Sequence, residues 1–334
     1  MSKKHDEPAL RPWQRLVGIL HFERATINYI FFYAILIGLL GLTLPLGTTA
    51  IFNLLSNGSM YSSTYILIGI VLTGILIGGL LLIGQLTLVE LVEQKIFART
   101  SLEFAYRLPR IKKSELTGEY PPELVNRFFD ILTIQKGLAE LVVEMISSAL
   151  LIFFSAILLS FYHPVYMAFG IFIIIVLALV VALYYKDAVK TSIQESSHKY
   201  QVVAYLEDIA ANLDDFRGDK SKMKDAMEKT DDITSRYLKA RTNHFKVLRK
   251  FFASSIIIRA ILMGALLLMG SYFVIDRQMT FGQFVAAEVI VVQISYAVEK
   301  LMTNMNTVFD MVTSAEKLAV VTDMELEGEE GYHG

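Results

Sequence analysis

The sequence contains no cysteine. That excludes a disulfide scaffold, a thiolate metal site and a thiol nucleophile. Charge is missing over long stretches: no Asp, Glu, Lys or Arg occurs in the 65 residues from Ala25 to Val89, nor in the 41 from Met145 to Tyr185. A soluble fold cannot hold such runs, because its surface helices need a polar face. Neither sign of charge is in excess, with 31 Lys and Arg against 33 Asp and Glu, so there is no electrostatic footprint for nucleic acid. Proline is scarce, and none follows Pro164, so nothing of that kind interrupts a helix in the second half. The histidines (His5, His21, His163, His198, His244 and His333) lack metal-ligand spacing. No His/Asp/Glu cluster or Ser–His pair marks a span end, so a membrane enzyme has no visible chemistry to work with.

What is present is apolar sequence in span-sized pieces. A helix needs about 20 apolar residues to cross the ~30 Å hydrocarbon core. The first uncharged block divides at the polar stretch Asn53–Ser63 into spans of about 28–52 and 64–91. The second divides at Phe161-Tyr162-His163-Pro164 into about 138–160 and 165–185. A third apolar region divides at Asp276-Arg277-Gln278 into about 252–275 and 281–302. An even count puts both termini on one side. Lys and Arg number five in residues 1–27, eight in 93–136 and fourteen in 186–250, against a single Arg277 in the three short turns. The positive-inside rule therefore predicts cytoplasmic termini and cytoplasmic long connections. Met1 to Glu23 is too charged for a cleavable signal peptide.

The long connections read as helix. In 186–250, fourteen basic and eleven acidic residues are interspersed. Val202, Leu206, Ile209, Leu213 and Phe216 recur with heptad-like spacing. Span four is thus expected to run on as one long helix, and a return helix of about 222–250 to feed span five, with a turn containing residues 212–218 between them. Span two is expected to continue to Leu108-Pro109, and the cross-pieces at both tips to stand about 25 Å below the membrane at 1.5 Å per residue. Beyond a Gly/Pro turn, Pro121-Pro122 suits the first turn of a short helix over Glu123–Ile131. Leu124, Phe128 and Ile131 fall on one face of it. The fold class is all-α: a polytopic membrane protein of six spans, with long helix extensions and a short cross-piece at each tip. The organisation is 1–27 with an interfacial helix, 28–320 as the membrane domain, and 321–334 as an acidic linker containing Glu325, Glu327, Glu329 and Glu330.

Three motifs carry a family likeness. Thr313-Ser314-Ala315-Glu316-Lys317-Leu318 leaves span six ahead of Val321 to Glu327. Gly118-Glu119 stands with Asn126-Arg127 and Asp130 at the first cross-piece. Gly282-Gln283-Phe284-Val285-Ala286 opens span six. With the six-span layout, these residues resemble the transmembrane domain of six-helix ABC exporters over about 15–328. The pattern is closest to type I secretion and bacteriocin exporters. The resemblance implies pairing with a second such domain, a homodimer being expected, around an alternating-access pathway. It implies nucleotide-binding domains that hold ATP and Mg. It also implies coupling helices at about 120–130 and 207–217, carried by Glu123, Leu124, Asn126, Arg127, Phe128, Asp130, Leu213, Asp214, Asp215 and Phe216. Peptide or protein, lipid and drug are the cargo classes, and a periplasmic adaptor is a candidate partner. A receptor or scaffold of the same fold is the rival class beside a membrane enzyme. No GxxxxGK[ST] loop or signature motif occurs, and Gly218-Asp219-Lys220-Ser221 has neither the glycine spacing nor the setting of one. The chain itself is expected to lack ATPase activity and any cofactor. The nucleotide-binding domain is expected on a separate polypeptide or on the remainder of a longer one.

Three charges sit inside the spans. Arg259 and Glu299 lie at similar depth on neighbouring antiparallel helices. They read as a register-fixing ion pair near the inner interface or as a gate, an unpaired central Arg costing ~2.5–3.5 kcal/mol. Glu288 has no basic residue within a turn and is a candidate pathway carboxylate. Pro45 predicts a kink in span one. Gly74 and Gly78 form a small-xxx-small pair for helix contact, and Trp13 predicts an interfacial anchor for the helix over 12–22. If Glu288 lines the pathway, Glu288→Gln changes transport kinetics and leaves membrane expression intact; transport indistinguishable from the parent chain excludes that role.

Overall fold

The computed structural model describes residues 11–55, 62–116 and 121–327. Gly118, Glu119, Glu329, Glu330 and the middle of the first short turn lie outside them. The helices are α1 (Pro12–His21), α2 (Arg24–Gly41), α3 (Thr43–Leu55), α4 (Ser62–Arg107), α5 (Pro121–Asn126) and α6 (Asp130–Ala139). They continue with α7 (Ser147–Ser160), α8 (Val165–Ala211), α9 (Leu213–Phe216), α10 (Lys220–Ile275), α11 (Phe281–Thr303) and α12 (Met305–Thr322). Among the described residues there is no strand, only one isolated antiparallel bridge between Ile111 and Leu326.

Six helical rods are long and apolar enough to cross a bilayer. In lipid every backbone N–H and C=O must be satisfied within its own segment, which makes an unbroken helix the favoured state of these runs. Burial separates the rods. Half of the most apolar window of the sixth is buried, against 11% of that of the second. The second rod turns Ile66, Ile70, Leu76, Leu80 and Ile83 outward as a lipid-facing surface.

Span one is broken where Pro45 requires it. Pro45 has no N–H to give to the carbonyl of Gly41, and the helix stops at Gly41 and restarts at Thr43. Thr43 Oγ1 donates to the Leu40 carbonyl across the break at 2.5 Å. Gly74 faces this point so closely that a Cβ there would lie 2.9 Å from the Thr43 side chain; it serves the packing of spans one and two.

Span three is one rod with three textures. α5 passes through a tight 3-10 turn at Arg127–Phe129 into α6, then through a π-helical stretch at Glu140–Ile146 into α7. The first cross-piece is therefore the foot of span three rather than a detached helix.

The extensions are longer than expected on one side. α8 has 47 residues and α10 has 56, so they measure about 70 and 84 Å, against a ~30 Å bilayer core. The α8–α10 hairpin reaches ~39 Å beyond Tyr185, not 25 Å. The heptad stripe does not act as its seam. α8 ends at Asn212, whose φ of −116° and ψ of 36° leave the helix, so Leu213 and Phe216 belong to a separate turn. Leu206 and Leu213 are about half exposed, and the seam uses other residues, among them Ala226 and Ile233 of α10. Gly218 then takes a φ of +84°, open to glycine at little cost. Asp219 caps α10 by accepting from the backbone N–H groups of Ser221 and Lys222 at 2.9 and 3.1 Å. The Gly-Asp-Lys-Ser run is thus a turn and a helix cap.

α1 docks on α12, with Leu16 fully buried, while Trp13 and Val17 remain on its open side. Arg15 reaches both Glu316 at 3.0 Å and Asp323 at 2.5 Å. The chain after α12 is tied to residues 110–112 by backbone hydrogen bonds from Lys112 N to Glu325 O (3.0 Å) and from Glu327 N to Arg110 O (2.6 Å).

Spans five and six join through a turn in which Arg277 adopts a φ of 55°. Thr280 and Gln283 then form a reciprocal capping box that starts α11. An exposed Arg in the left-handed region carries a steric cost that glycine avoids. Arg277→Gly is expected to raise stability by about 1 kcal/mol, read as a higher unfolding midpoint of the purified protein; a lower midpoint contradicts it.

Candidate functional site in the helix extensions

The two cross-pieces differ in how they are held. At the first, the face read as one side of a helix is turned inward. Leu124 and Ile131 are fully buried, and Arg127 and Asp130 are nearly so. Phe128 packs edge-on against Phe97 and Phe104 of α4, with ring centroids 5.3 and 5.5 Å apart. α4, α8 and α12 of the same chain cover this face. Apolar residues spaced three and four apart identify a face but not what covers it. Val125 and Phe129, on the opposite side, are the exposed apolar residues here.

Arg127 is held from two directions. Glu123 one turn back accepts from it at 2.7 Å, and the Tyr200 ring lies 4.1 Å beneath its guanidinium. Asp130 accepts from the Tyr200 hydroxyl and from Ser314 Oγ, the latter at 3.4 Å. Burial raises the Asp130 carboxyl above its ordinary range, opposed by the Tyr200 bond and the nearby Lys199 and Arg127 charges. Burial and the Asp130 carboxylate push the Tyr200 hydroxyl up in turn. These groups lie outside the bilayer core, on the extensions of spans three and four. Asn126 donates to Glu207 near the end of α8, so the first foot is bonded to the second hairpin.

The second cross-piece is open. Leu213 is half exposed, and Asp214 and Asp215 are 96% and 69% exposed. Arg217 pairs loosely with Asp214 at 3.3 Å and Lys222 with Asp215 at 3.8 Å. Phe216 is partly covered. A partly covered aromatic, a half-exposed leucine and two exposed acids therefore stand at the far end of two rods.

Above the tips a polar layer joins the extensions. Ser192 and Thr313 exchange a 2.7 Å hydrogen bond, and Lys317 donates to Ser197 at 2.9 Å. Thr191 bonds His244 at 2.9 Å, and Asn306 donates to Asp310 at 2.9 Å. Arg241 pairs with Glu195 at 2.6 Å. This layer was not read from the sequence. Its signal was the spacing Ser192, Ser196, Tyr200, which places three polar, buried groups on one stripe of α8. The small pair Thr313-Ser314 is buried against that stripe, which gives the span-six motif a packing role.

Within the spans, Arg259 and Glu299 do form an ion pair, with the guanidinium also 5.5 Å from the Tyr296 ring centroid. Glu288 is not part of it: it stands eleven residues, about 16 Å, along the same helix. It is half-buried, with no hydrogen bond or ion pair to another described residue.

Residues 27–298 match the family described as the ABC transporter transmembrane region, and the chain belongs to that family. No curated protein matches it. The chain is therefore a multi-pass membrane protein, with the all-α, six-span membrane domain of an ABC exporter. The family is the membrane part of such transporters, and it works with nucleotide-binding domains.

Asp310 faces Glu195, Arg241 and Lys199 across the polar layer. Burial first, and the Glu195 charge second, raise its carboxyl from 3.8 to about 6. A raised carboxyl favours the packed layer in the protonated state. That contribution is complete below about pH 4 and is lost as the pH rises through about 6. Asp310→Asn is expected to abolish this dependence and to hold the extensions together at neutral pH. Distances between spin labels on α8 and α12, followed from pH 4 to 8, check it; the same pH response in both proteins refutes it.

Proposed function

We propose that the chain is one half of an ATP-driven exporter that alternates its pathway between the two membrane faces. The observation that carries this reading is the continuity of α8 and α10 from the bilayer to an exposed tip. A rod with no break between the membrane and its end transmits displacement at that end without local loss. The motor is a pair of nucleotide-binding domains, which hold ATP and Mg; the termini and the tips lie on the cytoplasmic side with them. A second copy of the domain completes the pathway. The secretion-type likeness favours peptide or protein cargo handed to a periplasmic adaptor, with lipid and drug as the other classes.

The contact with the motor divides between the two tips. Leu213, Asp214, Asp215 and Phe216 offer a compact apolar and acidic knob, suited to an apolar cleft with basic rims. At the first foot, Val125 and Phe129 make contact. Glu123, Leu124, Asn126, Arg127, Phe128 and Asp130 keep that foot rigid and pass its motion to α4, α8 and α12. Glu288 and Glu299 of span six, with Arg259 of span five paired to Glu299, are the candidate pathway charges.

The test is reconstitution with the partner ATPase. Truncating a central anchor of an interface commonly costs about tenfold or more in affinity, so the double variant Leu213→Ala, Phe216→Ala is expected to lower nucleotide-driven transport by about tenfold. Membrane insertion and the ATPase activity of the isolated partner stay unchanged. Transport at the parent rate, or inter-helix distances that ignore ATP, overturns the proposal.

A further inference from the structure

Two irregular turns lie against each other at the border between the bilayer and the extensions. Span three carries the π-helical stretch Glu140–Ile146. Span six halts at Thr303 and restarts at Met305, with Asn304 between them at a φ of −81° and a ψ of 0°. Asn304 is 23 residues from Phe281, about 34 Å, so this joint falls just past a ~30 Å core. Sharp bends in helices occur at proline, at glycine or at π-type turns. Neither proline nor glycine occurs in 138–147 or in 294–308. Hydrogen bonds tie the two turns together across the fold. Asn304 Nδ2 donates to Glu144 at 2.7 Å, and Thr307 Oγ1 donates to Glu140. One carboxylate thus holds the joint itself, and the other holds the first turn of α12.

Packing changes at this level. Toward the tips it is tight: a Cβ on Gly137 of α6 would lie 2.4 Å from the Met311 side chain of α12. Around the joint there is room on two flanks, where close-packed interiors leave little. On the flank of α2, a cavity of about 340 Å³ is lined by Val143 and Ser147 of span three and by Gln293 and Ala297 of span six. On the flank of α8, an open groove of about 540 Å³ is lined by Met145, Leu301 and Met305, with Tyr185 of α8. In the cavity, Ser147 Oγ and Gln293 Oε1 are buried without hydrogen-bond partners, a state that native structures seldom keep without a reason. Ser147 is 13 residues from Ser160, about 20 Å, and Gln293 is 12 residues from Phe281, about 18 Å. They stand at one depth on two walls of the same cavity, a hydroxyl donor and an amide acceptor.

We propose that the π-helical stretch of span three and the Asn304 joint of span six form one shared hinge, with Ser147 and Gln293 as its latch. Bending there brings the two walls together, closes the cavity and lets Ser147 Oγ donate to Gln293 Oε1. The Glu144–Asn304 and Glu140–Thr307 bonds make the two spans bend together rather than singly. Below the hinge, α6 and α12 move as one block because Gly137 leaves no slack between them. α8 and α10 pass the same level without a break, so they stay straight while spans three and six articulate beside them. π-type turns concentrate at functional sites, and this one has its function in motion. The hinge belongs to the chain itself and exists whether or not a motor drives it.

The absence of cysteine lets spin labels be placed at chosen pairs alone. The experiment uses the purified full chain in lipid vesicles, diluted with unlabelled chain so that only distances within one chain are read. Labels at Leu132→Cys and Phe153→Cys, both exposed positions, bracket the π-helical stretch. Labels at Ile175→Cys and Gln194→Cys, also exposed, bracket the same level of unbroken α8. The first pair is expected to show two distances, one matching this structure and one displaced from it, and the second pair a single distance. Ser147→Ala and Gln293→Met each lower the displaced population about fivefold, the effect of one hydrogen bond. Together they lower it no further than either alone, because they remove the same bond; two unrelated packing effects would add. If one variant does not fold, the other and the parent distances decide. A single distance for the first pair, a displaced population unchanged in a folded variant, or effects that add overturns the proposal. No nucleotide enters the measurement, so its failure leaves the proposed coupling to a motor intact.

Discussion

The whole molecule depends on the backbone hydrogen-bond ladder running without interruption through the bilayer boundary. Inside lipid the ladder is obligatory, because an unpaired amide has no water to turn to. Outside lipid it is optional, and many membrane proteins let it lapse in loops. Here it continues for 47 residues in α8 and 56 in α10, with no proline after Pro164 to break it. Interruptions stand at particular places, among them Pro45 in span one, Asn212 and Gly218 at the second tip, Arg277 at a short turn, and Asn304 between α11 and α12. The molecule is thus a set of rigid rods with few joints.

Between the rods, the bilayer portion and the extensions use different chemistry. Within the spans, close contact rests on small residues such as Gly74 against Thr43, where apolar shape is the available language. Below, Ser192–Thr313, Thr191–His244 and Asp130–Tyr200 join four rods by hydrogen bonds. Hydrogen bonds are directional and fail abruptly when geometry changes, so a polar layer favours discrete arrangements over gradual sliding. An aromatic column of Tyr185, Phe251 and Phe309 lies at the border between the two regimes.

Legibility in the sequence followed the range of each interaction. The six spans, Pro45 and the pairing of Arg259 with Glu299 rest on patterns within a segment, or on counting back from a short turn, and these were readable. The family likeness of the span-six exit was also readable. The bond from Tyr200 to Asp130 joins residues seventy apart on different helices, and no periodicity announces it. The stop at Asn212 was legible, since the stretch 212–218 holds Asn, two Asp and Gly, residues that favour turns. The apolar face of Leu124, Phe128 and Ile131 was legible as a face, but the covering element was not, since amphipathicity is silent about partners. Docking of α1 on α12 was hidden for the same reason. Arg15 reads equally as a lipid-headgroup contact until Glu316 and Asp323 are seen beside it.

The fastening of both chain ends has a mechanical corollary. Arg15 staples the start of the described chain to α12, and the segment after α12 is laced by its backbone to residues 110–112, just ahead of the first foot. Span one, span six and the approach to span three consequently share a common pedestal. A tilt applied there is delivered to three helices together, as a lever turns several shafts keyed to one hub. The α8–α10 hairpin joins that pedestal through the polar layer and through the Tyr185 and Phe251 rings packed on Phe309.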